Sequence, residues 1–189
     1  MDASVLAAMA RWPNVPAVYG WLGLDRRGNW RLRDETVQHP GLRDFLGRNY
    51  ACDAAGRYFV QNGPQRVYVA LEYTPWVLRF EHGALIRHDR QAFAPPTAAL
   101  IDDCGSLLVL AADGIGLVDD RDLPAMLDRL CDDRGRPLAD ADIESALEGD
   151  SRGCRLALGG RSLAVDTIAR DTVAARFGFE PRPQPDADH

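Results

Sequence analysis

Two sets of residues have the types and spacing that chemistry requires. The first is acidic: Asp102, Asp103, Asp113, Asp119, Asp120 and Asp122 fall in one short stretch. Hard divalent cations bind through several carboxylate oxygens, so Asp113, Asp119 and Asp120 are candidate ligands for a metal-dependent hydrolase. Their spacing matches no calcium loop, and turns and helix caps use Asp equally well. The second set is aromatic and basic. Twelve of the fifteen Phe, Trp and Tyr residues lie between Trp12 and Phe80, several beside arginine. Arg66, Tyr68 and Glu72 share one face of a strand by two-residue alternation, and Trp30 and Tyr58 sit on neighbouring strands. Such a face stacks a planar group while guanidinium holds an anion. A core built from large residues produces the same pattern.

Weaker motifs fail on context. Gly114-Ile115-Gly116 follows an apolar strand, but a dinucleotide site needs a third glycine and a helix opening onto the phosphates. Here Leu117-Val118 continues a strand. Gly160-Arg161-Ser162-Leu163-Ala164 lacks the last glycine of a nucleophile elbow and the helix after it. His39, His82 and His88 fall at turns or strand ends, with no i, i+4 helical pair. Cys52, Cys104, Cys131 and Cys154 stand singly, which predicts reduced thiols. No lysine occurs, so Schiff-base catalysis and a phosphate-loop lysine are absent. No cofactor is predicted.

The elements that must position these residues are mostly strands. Gly56 to Phe80 carries Asn62-Gly63 between two alternating runs, the signature of a β-hairpin expected at the sheet's centre. Val67, Val69, Leu71 and Tyr73 form its apolar face. Before it, residues 5–11 suit a short helix and residues 18–24 and 29–33 two strands around Asp25-Arg26-Arg27-Gly28. A second Asp-x-x-Gly turn lies at Asp53 to Gly56 and another at Asp132 to Gly135. Thr74-Pro75 interrupts the ladder, because proline donates no hydrogen bond. Further strands surround turns at Asp103-Cys104-Gly105 and Asp113-Gly114. Helices enter late, over Leu123 to Leu130, Asp140 to Glu148 and Arg170 to Phe177, with a hairpin at Gly159-Gly160.

The pattern predicts one α+β domain over 1–180: a mainly antiparallel meander over 17–118, then a helical and hairpin segment over 119–178. Proline and polar residues predict a disordered tail at 181–189. Residues 1–90 hold 12 Arg against 9 Asp and Glu (+3), and residues 91–189 hold 10 against 19 (−9), consistent with the net −6. An acidic chain is a poor duplex-DNA binder. The longest apolar run, Leu107 to Ala112, is far too short for a membrane span of about 20 residues. Met1-Asp2-Ala3-Ser4 lacks the basic start of a signal peptide, so a cytoplasmic location is expected.

The run VPAVYGWLGLDRRGNWRLR, followed by HPGL, RNY and GRYFVQNGPQRVYVALEYTPWVLRF, resembles a family of small proteobacterial proteins classed only as uncharacterised. The resemblance covers roughly the first half of the chain and implies no activity and no site residues. The expected function is therefore a non-catalytic module that binds a protein or a small anionic or planar ligand through its aromatic, arginine-bearing sheet. A metal-dependent hydrolase and a single-strand nucleic-acid binder are the alternatives.

Overall fold

Four hairpin turns repeat one construction. In the computed structural model, which describes residues 1–12 and 15–185, Asp25, Asp53, Asp102 and Asp132 each accept at Oδ1 from the backbone N–H groups two and four residues on, at 2.7 to 3.0 Å. Three residues after each Asp, Gly28, Gly56, Gly105 and Gly135 take φ of 75° to 77° and return an N–H to the Asp carbonyl. This is a type I turn closed by a left-handed glycine, the G1 bulge. The carboxylate satisfies donors that the turn would otherwise leave to water. The third such turn begins at Asp102, so Asp103-Cys104-Gly105 is only its later part.

Backbone proximity divides the chain into two compact units. The first is Met1–Pro75 with the segment from Gly178 onward; the second is Trp76–Phe177. The sequence pattern favours one domain over 1–180.

The first unit begins with α1 (Ala3–Arg11), followed by β1 (Val18–Leu24), β2 (Trp30–Leu32) and β3 (Glu35–Thr36). α2 (Pro40–Arg48) starts with a proline and is capped by His39 Nδ1, which accepts from Leu42 N at 3.2 Å. β4 (Tyr50–Cys52), β5 (Tyr58–Asn62) and β6 (Gln65–Leu71) complete a sheet of order β3-β2-β1-β6-β5-β4. The hairpin strand β6 is thus central. Its other neighbour, β1, runs parallel to it, which a tight turn cannot achieve. In the β5–β6 turn Asn62 pairs with Gln65, so the two loop residues are Gly63 and Pro64 rather than Asn62 and Gly63. Gly63 takes φ 56°, as a II′ turn needs at its first position, and proline cannot.

One sheet face carries Leu22, Leu24, Trp30, Val69 and Leu71, all at most 4% exposed, with Tyr50 edge-on to Trp30 at 5.2 Å. After Gly178 (φ 67°) the chain lies along this unit. Glu180 N donates to Gly56 O at 3.0 Å and Leu71 N to Pro181 O at 2.8 Å, and Phe179 and Pro183 are buried. The disorder expected over 181–189 therefore does not extend to residues 181–185; residues 186–189 lie outside those described.

The second unit holds β7 (Trp76–Glu81), β8 (Ala84–Arg87), β9 (Ala98–Asp102), β10 (Leu107–Ala111), β11 (Gly114–Val118), α3 (Leu123–Leu127), β12 (Leu130–Cys131), α4 (Asp140–Leu147), β13 (Arg155–Leu158), β14 (Arg161–Ile168) and α5 (Val173–Phe177), with one 3-10 turn before α5. The sheet order is β12-β13-β14-β9-β10-β11-β7-β8. β14 joins its two parts: Arg161 to Ala164 pair with β13 and Val165 to Ile168 with β9. Successive residues 99–102 and 107–109 are buried, so both faces are covered and the alternation seen in half-exposed strands disappears. The helix expected to reach Leu130 stops at Leu127, because Leu130 enters β12.

The fold class is α+β and mainly antiparallel, but the expected meander over 17–118 is corrected. Two sheets replace one, and β1 with β6, β7 with β11 and β9 with β14 pair in parallel. The boundary between the units falls after Pro75, four residues beyond the end of β6 at Leu71.

Candidate functional site

The second face of the β5–β6 hairpin places Phe59 opposite Tyr68 and Gln61 opposite Arg66. Tyr68 is engaged on every side. Tyr19 stacks on it at 4.6 Å, Phe59 meets it edge-on at 5.8 Å, and the Arg57 guanidinium lies 5.1 Å from its centroid. Its hydroxyl donates to Asp53 Oδ2 at 3.0 Å. Burial first, and then the Asp53 carboxylate, raise the Tyr68 pKa. Burial opposes charge on Asp53, yet the Arg57 backbone and guanidinium and the Tyr68 hydroxyl outweigh it, and the Asp53 pKa is lowered. Tyr68 is thereby a positioning element of the turn. Arg66 is exposed, with its guanidinium 4.7 Å over Phe59, and makes no ion pair with a carboxylate among the described residues.

Beside Arg66 opens a groove of about 340 Å³, at the lower end of the roughly 300–1,000 Å³ of small-ligand pockets. Met9, Trp12, Val15, Ala17 and Pro64 form its apolar wall, and Gln61 and Arg66 its polar side. α1 is brought here by Asp2, whose N–H donates to Asn49 Oδ1 at 2.8 Å and whose carboxylate pairs with Arg48 at 3.0 Å. Gln65 Nε2 donates to Pro16 O at 3.1 Å and holds the opposite wall. Gln61 is 1% exposed. Its Nε2 donates to Gly63 O at 3.0 Å, which orients the amide, and its Oε1 has no hydrogen-bond partner. A buried acceptor left unmet costs about 1–3 kcal/mol, so native structures rarely keep one without a reason. Trp12 is 51% exposed, and Met1, Leu6, Trp21, Leu32 and Leu42, the other exposed large apolar residues among those described, also belong to this unit.

The remaining sequence candidates lie elsewhere. Trp30 and Tyr58 belong to the opposite, core face of the sheet, where Tyr50 contacts both. Glu72 is exposed after β6 and accepts from Arg26 N at 3.2 Å. Asp113 accepts from Ala94 N at 2.7 Å and lies 3.5 Å from Arg87 Nη1. Asp119, fully buried, holds Arg121 in a bidentate pair, and Asp122 holds Arg79 at 2.6 Å. Asp120 is exposed. Among the described residues the ligand-type atoms that come within 4.8 Å of one another belong to Asp102, Asp103 and Cys104, so Asp113, Asp119 and Asp120 do not share a site. Gly116 is small because a Cβ there would meet Leu78 Cδ1 at 2.6 Å, and Ser162 Oγ accepts from Arg155 Nε at 2.7 Å. A larger cavity of about 730 Å³ in the second unit is lined by Asp132, Arg136, Asp150 and Arg152, among others. Those charges pair with each other, Arg136 with Asp132 and Arg152 with Asp150, both at 2.6 Å.

Of the residues lining this groove, Arg66 was among the sequence candidates, and Gln61 and Trp12 were not. A glutamine beside a turn looks like a solvated residue, yet Gln61 is 1% exposed.

The described residues form a two-unit α+β fold whose first unit carries a small, half-apolar groove. The sequence profile of the DUF2944 family, described as "Protein of unknown function (DUF2946)", matches residues 1–184, and the chain belongs to that family. The resemblance to uncharacterised proteins carried by the first half thus extends over nearly the whole length. The chain is also similar to the crystal structure of a DUF1285 family protein from Silicibacter pomeroyi DSS-3, at 14% identity and a TM-score of 0.53, covering 89% of this chain and 97% of that one. At that identity the likeness is one of fold. No curated protein matches. Among the described residues no helix is long and apolar enough to cross a membrane.

Proposed function

We propose that the protein is a non-catalytic binding module whose first unit takes a small ligand in the groove between α1 and the β5–β6 hairpin. The observation that carries this reading is the buried, partnerless Oε1 of Gln61 on the wall of a cleft that also holds Arg66 and Trp12. A donor that reached Gln61 Oε1 would relieve the unmet acceptor, and Arg66, which also hydrogen-bonds Tyr68, adds a cation that makes no ion pair with a carboxylate among the described residues. The acidic balance of the chain disfavours duplex DNA, and a cytoplasmic setting is inferred from the sequence. The hydrolase reading has less support, because Asp113 and Asp119 are bound to arginines and backbone. Single-strand binding has less as well, because the Trp30 and Tyr68 rings are not open for stacking.

The test is a thermal-shift screen of a fragment library against the wild type and Ala17→Phe. Ala17 is exposed on the groove wall, so the larger side chain fills the cleft without disturbing the core. Fragments that stabilise the wild type are expected to lose their effect on Ala17→Phe, whose own melting temperature stays close to that of the parent. Fragments that stabilise both equally, or none that stabilises the wild type, would overturn the assignment.

A further inference from the structure

We infer that the outer face of the first unit's sheet, at the pair formed by Trp21 and Arg33, is a docking site for an acidic segment of a partner protein, separate from the groove. In β1 the core face takes Leu22 and Leu24, both 2% exposed, and alternation turns Trp21 and Gly23 outward. Trp21 is 50% exposed. The Arg33 guanidinium lies 3.7 Å from its ring centroid, a stack that orders both side chains. Arg33 is exposed, and among the described residues its guanidinium makes no hydrogen bond and no ion pair. Those N–H groups are open to an incoming acceptor.

Arg33 also stands where a side chain has a cost. It is the first of the two loop residues between Leu32 and Glu35, at φ 52°. The loops after β5 and β13 give that position to Gly63 and Gly159, at φ 56° and 57°. A Cβ in the left-handed region costs free energy that glycine avoids, and strain of this kind gathers at functional positions. Arg31 braces the loop, its guanidinium donating to the Asp34 carbonyl and, at 3.5 Å, to Thr36 Oγ1.

The surroundings set the partner's chemistry. Gly23 pairs with the exposed Ala70 of β6, which leaves a low floor beside the indole. A Cβ on Gly23 would lie 3.8 Å from Arg31 Cβ, so Arg31 borders that floor. Arg57 over Tyr68 and Arg66 over Phe59 continue the same face. These guanidiniums with Arg31 and Arg33 outnumber the carboxylates beside them, Asp34, Glu72 and Asp53, and Asp53 is paired with Arg57. Glu35, the register partner of Leu32, belongs to the other face. An acidic segment is complementary to that excess, and Trp, Tyr and Arg are the residues on which protein interfaces concentrate binding energy. Nucleic acid fits less well, because stacking positions are already filled by Arg33 on Trp21 and Tyr19 on Tyr68.

The test is selection on the full chain from a library of blocked dodecapeptides rich in Glu and Asp, beside a matched library with Gln and Asn in their place, followed by fluorescence anisotropy. Acidic peptides are expected to be enriched and to bind about tenfold or more tighter than their amide counterparts, with affinity falling as salt rises. Arg33→Gly and Trp21→Thr should each lose about tenfold or more in affinity. Arg33→Gly should at the same time melt no lower than the wild type, since glycine relieves the loop. No enrichment of acidic peptides, unchanged binding by either variant, or an Arg33→Gly protein that melts well below the wild type would overturn the inference. A single-stranded oligothymidylate that binds more tightly than every selected peptide would make nucleic acid the occupant and overturn it as well.

Discussion

Replacing Gly56 by alanine tests how the C-terminal segment is held on the first unit. Gly56 has φ 77°, and Gly20 in the same unit has φ 72°. Either substitution places a side chain in the left-handed region at a cost of about 1–2 kcal/mol. A Cβ at Gly20 would meet nothing within 4 Å, whereas at Gly56 it would lie 2.2 Å from Gly178 O and 3.1 Å from both Gly178 C and Phe179 Cα. These are backbone atoms, which no rotamer change can move. The segment must therefore leave, breaking the Glu180 N–Gly56 O bond of 3.0 Å, worth about 1 kcal/mol. It also uncovers Phe179, 8% exposed, for about 1.5–3 kcal/mol. Gly56→Ala should thus cost about 3.5–6 kcal/mol and Gly20→Ala about 1–2 kcal/mol. Urea unfolding measures both, and limited proteolysis should cut Gly56→Ala early near residues 178–185. Equal destabilisation by the two variants, or an uncut tail, would refute the packing argument.

Asp53→Ala removes the bonds that Asp53 accepts from Ala55 N, Arg57 N, Arg57 Nε and the Tyr68 hydroxyl, and should cost about 2–4 kcal/mol at pH 7. The folded pKa of Asp53 is lowered, so its charge-linked contribution is present above the unfolded value of about 3.9 and lost as pH falls through the folded one. The gap between wild type and variant should narrow from pH 7 to pH 3 in urea titrations; a constant gap would contradict the turn account. Thiol titration at pH 8 should find Cys52 and Cys104, both exposed, in the native protein, and Cys131 and Cys154 only after denaturation. Burial, with the nearby Cys131 adding to it, pushes the Cys154 thiol up to about 11, and native labelling of Cys154 as fast as Cys104 would contradict its placement.

Local structure was legible where the turn chemistry is local. Asp-x-x-Gly announced three of the four identical turns, and Gly159-Gly160 announced the β13–β14 hairpin, because a carboxylate or a positive φ acts within five residues. The Asn62-Gly63 signal lay one residue away, since Pro64 fixes which position must be left-handed. Parallel pairing of β1 with β6 was invisible: alternation along a strand says which face is buried and nothing about the direction of its neighbour. Thr74-Pro75 was read as an interruption within a sheet, but whether a ladder resumes after proline depends on residues far away in sequence. Arg66 could be placed on its face from alternation alone. Tyr68 shares that face but is covered by Tyr19, and Gln61 is buried, both outcomes of packing that no window on the sequence contains.

The most direct measurement is a ¹H–¹⁵N titration of the full chain with a fragment that stabilises the wild type but not Ala17→Phe, read at the Gln61 side-chain amide and the four tryptophan indoles. Binding in the groove predicts saturable shifts of the Gln61 amide and the Trp12 indole together, with Trp21, Trp30 and Trp76 unmoved. Shifts centred on Trp21, or a Gln61 amide that stays still while others move, would contradict it.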